Sequence, residues 1–343
     1  MTDSQRTASG AAPGTASGTD GATPLVALDI GGTNARFALA AVKGGRVVSL
    51  DDPVTLHTAD HATFRTAWEK FAETVGTPLP RAVAIAIAGP VRGETIRFTN
   101  NPWVIRPASL REELDIDRFT LVNDFEAIGH AVAQADPSHF ATLCGPDVPL
   151  PETGTISIVG PGTGLGVAHI WRDGDQYRVQ ATEGGHLDFP PLDPIEDSIL
   201  SRLRKKYRRV SVERVVSGPG IVEIYEALAV IEGRPVQLRD DKTIWKLGMT
   251  GEDSLAAAAV ERFCLSLGSA AGDIALAQGG SAVVIAGGLG QRIRDNLVRS
   301  GFADRFRAKG RFEAMMAAMP VKLITHPQPG LFGAAAAFAR ETA

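Results

Sequence analysis

One short sequence unit occurs twice in this chain of 343 residues. In each copy an apolar run leads into a Gly-Thr turn and then into a second apolar run, at residues 24–41 and 155–170. Apolar runs on both sides of a glycine turn are typical of β-hairpins. The repeat predicts two related α/β lobes, each of which offers a loop to one phosphate chain from opposite sides of a cleft. The alternative is a coincidence between two unrelated glycine turns.

The first copy carries a carboxylate, Asp29, near the end of its first apolar run. Residues 24–30 are predicted to form a buried strand and residues 37–41 its hairpin partner. Gly31 to Asn34 then form a tight turn whose backbone N–H groups can face an anion. A carboxylate beside such a turn suits a metal-bound phosphate. A plain hairpin that only needs glycine in its turn explains these residues equally well.

Two common nucleotide-binding motifs are disfavoured. A P-loop needs a glycine-rich turn that ends in Lys and then Ser or Thr before a helix, and no such run occurs in the sequence. A dinucleotide-binding motif needs G-x-G-x-x-G before a helix. The loop from Gly160 to Gly166 has Leu165 at the final glycine position and leads into a predicted strand.

The composition indicates a cytoplasmic protein. The net charge of −4 gives no sign of a nucleic-acid or membrane-surface partner. The only cysteines, Cys144 and Cys264, are far apart, which fits a reducing compartment and argues against structural zinc. No apolar run approaches the roughly 18 residues of a membrane span. Residues 1–22 are almost wholly small or polar and are predicted to be a disordered tail.

Beyond the tail, strand patterns alternate with helical patterns, which indicates a mixed sheet flanked by helices. A Pro/Gly-rich stretch, residues 135–154, is a plausible crossing between the lobes. The predicted strands are 46–50, 82–88, 119–122, 155–160 and 282–286. The predicted helices are 63–75, 109–114, 194–207, 218–230 and 254–278, with a further helix after Asp124.

The polar pair Asn123-Asp124 follows a short apolar strand. Ligands of open α/β sheets collect at the C-terminal ends of strands. Asp124 could there take the proton of an attacking hydroxyl while Asn123 binds a neighbouring hydroxyl. The alternative is that Asp124 only caps the helix that follows.

Three more polar residues stand in or beside glycine-rich turns: Glu183, His186 and Glu213. Carboxylates accept two hydroxyl hydrogen bonds at once and suit a polyol. A competing interpretation is a metal site formed by His169, His186 and Asp188, although the close spacing typical of zinc is absent. Glu213 could equally be a surface residue paired with Arg214.

The apolar run 282–286 ends in Gly287 and Gly288, which would let a ligand ring or ribose approach the backbone. A strand that simply turns into the next helix is the alternative.

Taken together, these motifs resemble the bacterial glucokinases of the sugar kinase, Hsp70 and actin superfamily. The resemblance runs from about Leu25 to the C-terminus. The motifs that carry it are D-I-G-G-T-N-A-R (Asp29 to Arg36), T-N-N-P-W (Thr99 to Trp103), N-D-F (Asn123 to Phe125), G-P-G-T-G-L-G (Gly160 to Gly166), E-G-G-H-L-D-F (Glu183 to Phe189), E-R-V-V-S-G-P-G (Glu213 to Gly220), A-G-G (Ala286 to Gly288) and P-G-L-F-G (Pro329 to Gly333).

The resemblance implies a two-lobed, actin-like ATPase (ribonuclease H-like) α/β fold with a central cleft. It implies transfer of the γ-phosphate of ATP to the 6-hydroxyl of D-glucose, the first step of glycolysis, with Mg²⁺ as cofactor. Asp124 would be the catalytic base, and Asp29 would hold Mg²⁺ through water. The implied glucose-binding residues are Asn123, Asp124, Glu183, His186 and Glu213. The implied contacts to ATP are Gly31, Gly32, Thr33, Asn34, Gly162, Thr163 and Gly164 at the phosphates and Gly287 and Gly288 at the adenosine.

The resemblance also implies a homodimer and a domain division. Residues 24–134 and 326–343 would form the smaller α/β domain, completed by a final helix after His326, and residues 135–325 the larger one. The cysteine-rich zinc motif of the related ROK sugar kinases is absent, which disfavours that branch. The chain has Asn101 where family members often carry another residue.

Two alternatives to a glucose-specific kinase remain at this point. One is a kinase for another hexose or with a polyphosphate donor. The other is a non-catalytic, sugar-sensing regulator on the same fold, against which stand Asp29, Asp124 and the lack of a basic helix-turn-helix segment before Leu25.

Overall fold

A computed structural model describes residues 21–76, 78–89, 91, 93–98 and 101–343. The predicted tail therefore lies outside the described residues except for its last two positions, and so do Thr99 and Asn100 of the T-N-N-P-W motif. The strands are β1 (Thr23–Ile30), β2 (Asn34–Lys43), β3 (Arg46–Leu50), β4 (Val54–His57), β5 (Ala82–Ile87), β6 (Ile96–Arg97), β7 (Val104–Ile105), β8 (Arg118–Asn123), β9 (Phe140–Cys144), β10 (Thr153–Pro161), β11 (Leu165–Asp173), β12 (Gln176–Thr182), β13 (Gly280–Ile285) and β14 (Val321–Ile324).

The helices alternate with these strands along the chain. They are α1 (Phe64–Val75), α2 (Leu110–Leu114), α3 (Asp124–Gln134), α4 (Pro194–Lys206), α5 (Val212–Val215), α6 (Gly220–Ile231), α7 (Asp241–Thr250), α8 (Ser254–Gln278), α9 (Gly287–Arg292), α10 (Arg294–Arg299), α11 (Phe302–Arg307), α12 (Glu313–Ala317) and α13 (Pro329–Glu341). None of the helices in the described part of the chain has the length and hydropathy needed to span a bilayer.

Two sheets share one topology. The first has the strand order β3-β2-β1-β5-β8, with β4 also paired to β2, and the second has the order β12-β11-β10-β13-β14-β9. In both, an antiparallel meander is followed by two parallel strands. The repeated hairpin of the sequence is β1–β2 in the first sheet and β10–β11 in the second, which confirms the predicted repeat of a strand, a Gly-Thr turn and a strand.

The first sheet is covered on both faces because its strands are apolar on both sides. Val26 and Leu28 of β1 pack into a cluster with α1, and Leu25 and Ala27 pack into another with α13. This arrangement is typical of sheets with helices on both faces. The C-terminal helix thus returns to the first sheet, as the resemblance implied.

Helices α3 and α13 cross between the two sheets. Leu331 and Phe338 of α13 pack on the first sheet, and Ala131 of α3 packs on the second. The two helices approach so closely that a Cβ atom on Gly333 would overlap the backbone oxygen of Ala127. This contact fixes the N-terminus of α3, with Asn123 and Asp124, between the first and the second sheet.

The predicted crossing segment, residues 135–154, contains one element that the sequence did not indicate. Strand β9 lies at the edge of the second sheet, antiparallel to β14. Its partner is almost 180 residues later in the chain, so no local turn signal marks the pairing.

Candidate active site

A backbone hydrogen bond from a glycine N–H closes each of the two Gly-Thr turns. The N–H of Gly31 donates to the carbonyl of Asn34 at 2.9 Å, and the N–H of Gly162 donates to that of Gly164 at 2.8 Å. These two N–H groups close their turns, so the prediction that every N–H of the first turn can face an anion is wrong for Gly31. The N–H groups without an acceptor among the described residues are those of Gly32, Thr33, Thr163 and Gly164.

The carbonyl side of the first turn is held by the protein. The side chain of Thr58 donates to the Gly32 carbonyl at 2.9 Å, and the Thr58 N–H donates to the Thr33 carbonyl at 3.0 Å. The buried amide of Asn101 donates to the Gly31 carbonyl at 3.4 Å. With its carbonyls occupied, the turn keeps its free N–H groups for a ligand, the property of an anion-binding nest.

Asp29 stands one residue before the end of β1, directly across the hairpin from Arg36. The Arg36 guanidinium donates to Oδ2 of Asp29 at 3.2 Å, and Oδ1 has no partner among the described residues. Burial raises the pKa of Asp29, and the positive charge of Arg36 acts in the opposite direction. Arg36 thus occupies Oδ2, and Oδ1 stays available to another cation.

Asn123, not Asp124, caps helix α3. Its Oδ1 accepts from the N–H groups of Phe125 at 2.9 Å and Glu126 at 3.4 Å, and its amide donates to the Gly89 carbonyl at 3.0 Å. The cap that sequence reasoning offered as the alternative role of Asp124 is therefore wrong. Because Asn123 uses most of its hydrogen-bonding capacity in this way, one amide hydrogen is left for a ligand.

Asp124 is the first residue of α3, and its Oδ1 accepts from the Phe125 N–H at 2.9 Å. Burial raises the pKa of Asp124 to about 6. The Phe125 N–H opposes this rise, and the nearby negative charge of Asp29 adds to it. A carboxylate with such a pKa can accept a proton near neutral pH.

One cavity of about 360 Å³ brings together four of the predicted site residues: Asp29, Asp124, Gly287 and Gly288. Arg36, Phe125 and residues 327–330 also line it. Gly287 has φ +83°, and a Cβ atom there would lie 2.8 Å from the Pro161 oxygen, so this approach of α9 to β10 requires glycine.

Three other cavities hold some of the remaining predicted residues. Asn123 and Glu183 line one of about 450 Å³. Gly162, Thr163 and Gly288 line one of about 330 Å³, and Thr163 and Glu213 line one of about 180 Å³. Gly288 also lines the cavity of Asp29 and Asp124. The predicted residues that line none of these four cavities are Gly31, Gly32, Thr33, Asn34, Gly164 and His186.

Glu183 and His186 flank a short 3-10 turn, with 3.9 Å between Oε2 and Nε2. Their side chains are 89% and 55% exposed and contact each other, so both can turn to a ligand at the loss of one weak ion pair. Glu213 instead accepts the Leu165 N–H at 2.9 Å, next to the second Gly-Thr turn. The alternative pairing with Arg214 is absent among the described residues, and Arg214 lies over the Tyr207 ring at 4.2 Å.

The competing metal site has no support in the described part of the chain, where no cluster of three His, Cys, Asp or Glu side chains could hold an ion. Asp188 pairs with Arg209 at 2.6 Å. His169 lies in β11 opposite Ser157.

Sequence reasoning missed three contributors to the site: Arg36, Phe125 and Gly330. The hairpin register could have revealed Arg36, because it stands directly opposite Asp29. A Cβ atom on Gly330 would lie 2.7 Å from Oδ2 of Asp29, a contact between the two ends of the chain that no local pattern indicates.

Comparison with known proteins places the chain among sugar kinases. The glucokinase family model matches residues 25–341. A glucokinase of Zymomonas mobilis is 60% identical over 317 residues, which are 92% of this chain and 98% of that protein. The crystal structure of a glucokinase from an Antarctic psychrotroph has a TM-score of 0.81 and 33% identity, covering 91% of this chain and 98% of that one.

A more distant solved structure shares the fold. It is a ROK family glucokinase from Streptomyces griseus in complex with glucose and AMPPNP, with a TM-score of 0.59 and 19% identity, covering 94% of this chain and all (100%) of that one. The predicted actin-like ATPase fold and the family resemblance are both confirmed. The chain belongs to the glucokinase family, the ATP-dependent kinases of glucose.

Proposed function

We propose that this chain transfers the γ-phosphate of ATP to the 6-hydroxyl of D-glucose, with Asp124 as the catalytic base. The observation that carries the proposal is the position of Asp124. It is a half-buried carboxylate whose pKa is raised to about 6 by burial, and it lines one cavity with Asp29, Gly287 and Gly288. Such a carboxylate can take the hydroxyl proton as the hydroxyl oxygen attacks phosphorus.

Phosphoryl transfer needs in-line positioning and neutralisation of charge. The free N–H groups of the two turns supply hydrogen bonds to phosphate oxygens from opposite sides of the cleft. The four donors are Gly32, Thr33, Thr163 and Gly164. Because these N–H groups are fixed before ATP binds, little reorganisation is needed at the moment of reaction.

The residues present fit a magnesium ion. Oδ1 of Asp29 has no partner among the described residues, and Mg²⁺ prefers oxygen ligands while keeping several waters and substrate phosphates in its coordination sphere. Asp29 would hold the ion through water. When bound, Mg²⁺ neutralises the charge of the transferred phosphoryl group.

The sugar would lie on the Asn123 side of Asp124. Asn123 would donate its remaining amide hydrogen, and Glu213 would accept one hydroxyl with the oxygen that Leu165 leaves free. The exposed side chains of Glu183 and His186 would bind further hydroxyls. The adenosine would lie by Gly287 and Gly288, where a Cβ atom on Gly288 would meet nothing within 4 Å. The proposal includes a cytoplasmic homodimer acting in glycolysis, as the family resemblance implies.

A coupled assay of the purified protein against a panel of hexoses and phosphoryl donors tests this function. We expect turnover with glucose and ATP and an absolute dependence on Mg²⁺. A preference for another hexose or for polyphosphate would replace the proposed substrates. Glucose binding without turnover under any donor would favour the regulator.

A further inference from the structure

The ring of Phe125 lies on a bare patch of the second hairpin. Gly160 and Gly166 form a cross-strand pair of β10 and β11, at the base of the second Gly-Thr turn. A Cβ atom on Gly160 would overlap Cζ of Phe125, and a Cβ atom on Gly166 would overlap Cε2. The ring therefore occupies the space that side chains would fill at both positions.

The backbone of the same residue holds the candidate base. The Phe125 N–H donates to Oδ1 of Asp124 and to Oδ1 of Asn123, both at 2.9 Å. Phe125 thus joins the carboxylate of Asp124 through its backbone and the second phosphate loop through its ring.

We propose that Phe125 is a positioning residue, whose ring on the Gly160–Gly166 pair fixes the Asp124 carboxylate relative to the second phosphate loop. The inference deepens the proposed function and rests on it for the role of Asp124. The position of the Asp124 carboxylate should affect the rate of turnover. A misplacement of about 1 Å between reacting groups can cost roughly 10²-fold in turnover, even when binding is little changed.

Simple core packing is the competing account of the same contact. If the Phe125 ring only fills space, substitutions that disturb it should change the stability of the protein and leave turnover per folded molecule unchanged. The two accounts differ in kcat, which is therefore the quantity to measure.

The test uses Gly160→Ala, Phe125→Leu and the double variant. The new methyl of Gly160→Ala meets Cζ and Cε1 of Phe125, and leucine has neither atom, so the second substitution relieves that overlap and leaves a contact of 3.3 Å to the Ala286 carbonyl carbon. The control is Gly272→Ala in α8, whose methyl would lie 2.6 Å from Cε of Lys309 and 2.7 Å from the Phe306 oxygen, away from the cavities described above.

For Gly160→Ala we expect kcat to fall about tenfold or more, with KM for glucose and ATP changed less than about threefold. The double variant should recover at least about fivefold of that loss, a non-additive result for residues in contact. Gly272→Ala should lower the melting temperature and keep kcat within about twofold of the unaltered protein. If Gly160→Ala does not fold, Phe125→Leu and the double variant carry the comparison, with kcat lower in the single variant.

The proposal is overturned if the perturbing variants keep the original kcat, if the double variant is no better than the single ones, or if Gly272→Ala loses kcat equally. Asp124→Asn in the same assay separates this inference from the proposed function. Full turnover of Asp124→Asn would refute the base, whereas loss of turnover there with normal kcat in the Phe125 and Gly160 variants would refute only the positioning role.

Discussion

At the scale of single residues, the site depends on two carboxylates that share one cavity, Asp29 and Asp124. Only Asp29 has a cationic partner among the described residues, Arg36. Burial raises the pKa of both carboxyls, so their positions assign the proposed roles. Asp29 lies beside the first Gly-Thr turn and suits a phosphate-bound cation, whereas Asp124 has no cationic partner among the described residues and suits proton transfer.

The raised pKa of Asp124 predicts how activity depends on pH. Below about pH 6 the carboxyl of the free protein is protonated and cannot act as a base, so kcat/KM for glucose should fall with an acid limb near pH 6. A pH profile of kcat/KM checks this. A kcat/KM that stays constant down to about pH 5 would contradict the assignment.

The raised pKa of Asp124 also implies a lower free energy of unfolding at neutral pH. The pKa of Asp124 is about 6 when folded against 3.8 for the ordinary group, so the folded state binds the proton more tightly and loses stability as pH rises from 3.8 to 6. Asp124→Asn should therefore raise the free energy of unfolding by about 1–3 kcal/mol at neutral pH and by much less near pH 4.

Urea denaturation at both pH values measures the effect. Asp240→Asn is the matched control, because hydrogen bonds from Thr243 lower the pKa of Asp240 and the substitution should give no gain. If Asp124→Asn is instead less stable at neutral pH, then burial of the charged carboxylate does not destabilise the folded protein.

Residue-level prediction from the sequence succeeded where local chemistry decides the outcome. Asp29 beside a glycine turn and Asp124 after a strand both line the central cavity. It failed for the cap of α3, because Asn and Asp are almost equally good caps and the choice of Asn123 depends on its backbone angles. It also missed Phe125, because its contact with Gly160 and Gly166 links residues far apart in the chain.

At the scale of elements, long periodic segments and continuous apolar runs were predictable, and short mixed segments were not. Helix α8 has the predicted bounds, Ser254 to Gln278, because 25 residues of consistent pattern outweigh local ambiguity. Strand β13 was predicted although its partners are distant in sequence, because residues 282–286 are uniformly apolar. Strand β9 was missed because it has five residues, of which only one is buried.

Because α3 and α13 are in close contact, a glycine-to-alanine substitution between them should lower stability, the opposite of its usual effect inside a helix. Alanine in place of glycine inside a helix stabilises it by about 1 kcal/mol when nothing else changes. Gly333→Ala should instead destabilise the protein by about 1–3 kcal/mol, because the new methyl overlaps the Ala127 oxygen of α3. Chemical denaturation measures the difference, and a stabilised variant would show that the helices are not in such close contact.

At the scale of the whole molecule, two sheets of equal topology each carry a Gly-Thr turn between two antiparallel strands. The repeat in the sequence predicted this pair of hairpins. The cavity lined by Asn123 and Glu183 is open to solvent, since the Glu183 side chain is 89% exposed. An open site of this kind would waste ATP on water unless it closes over the sugar.

We therefore predict that the lobes close when glucose binds. Small-angle X-ray scattering should show a smaller radius of gyration with saturating glucose than without it, and no change with a sugar that is not a substrate. An unchanged radius with glucose would contradict closure.

The central claim is that this member of the glucokinase family uses Asp124 as its base, and Asp124→Asn tests it most directly. The measurement is kcat by coupled assay together with the glucose dissociation constant by calorimetry, on the same folded preparation. The account predicts a loss of about 10²–10⁴-fold in kcat, with glucose binding retained within about tenfold. Turnover equal to that of the unaltered protein would contradict the account.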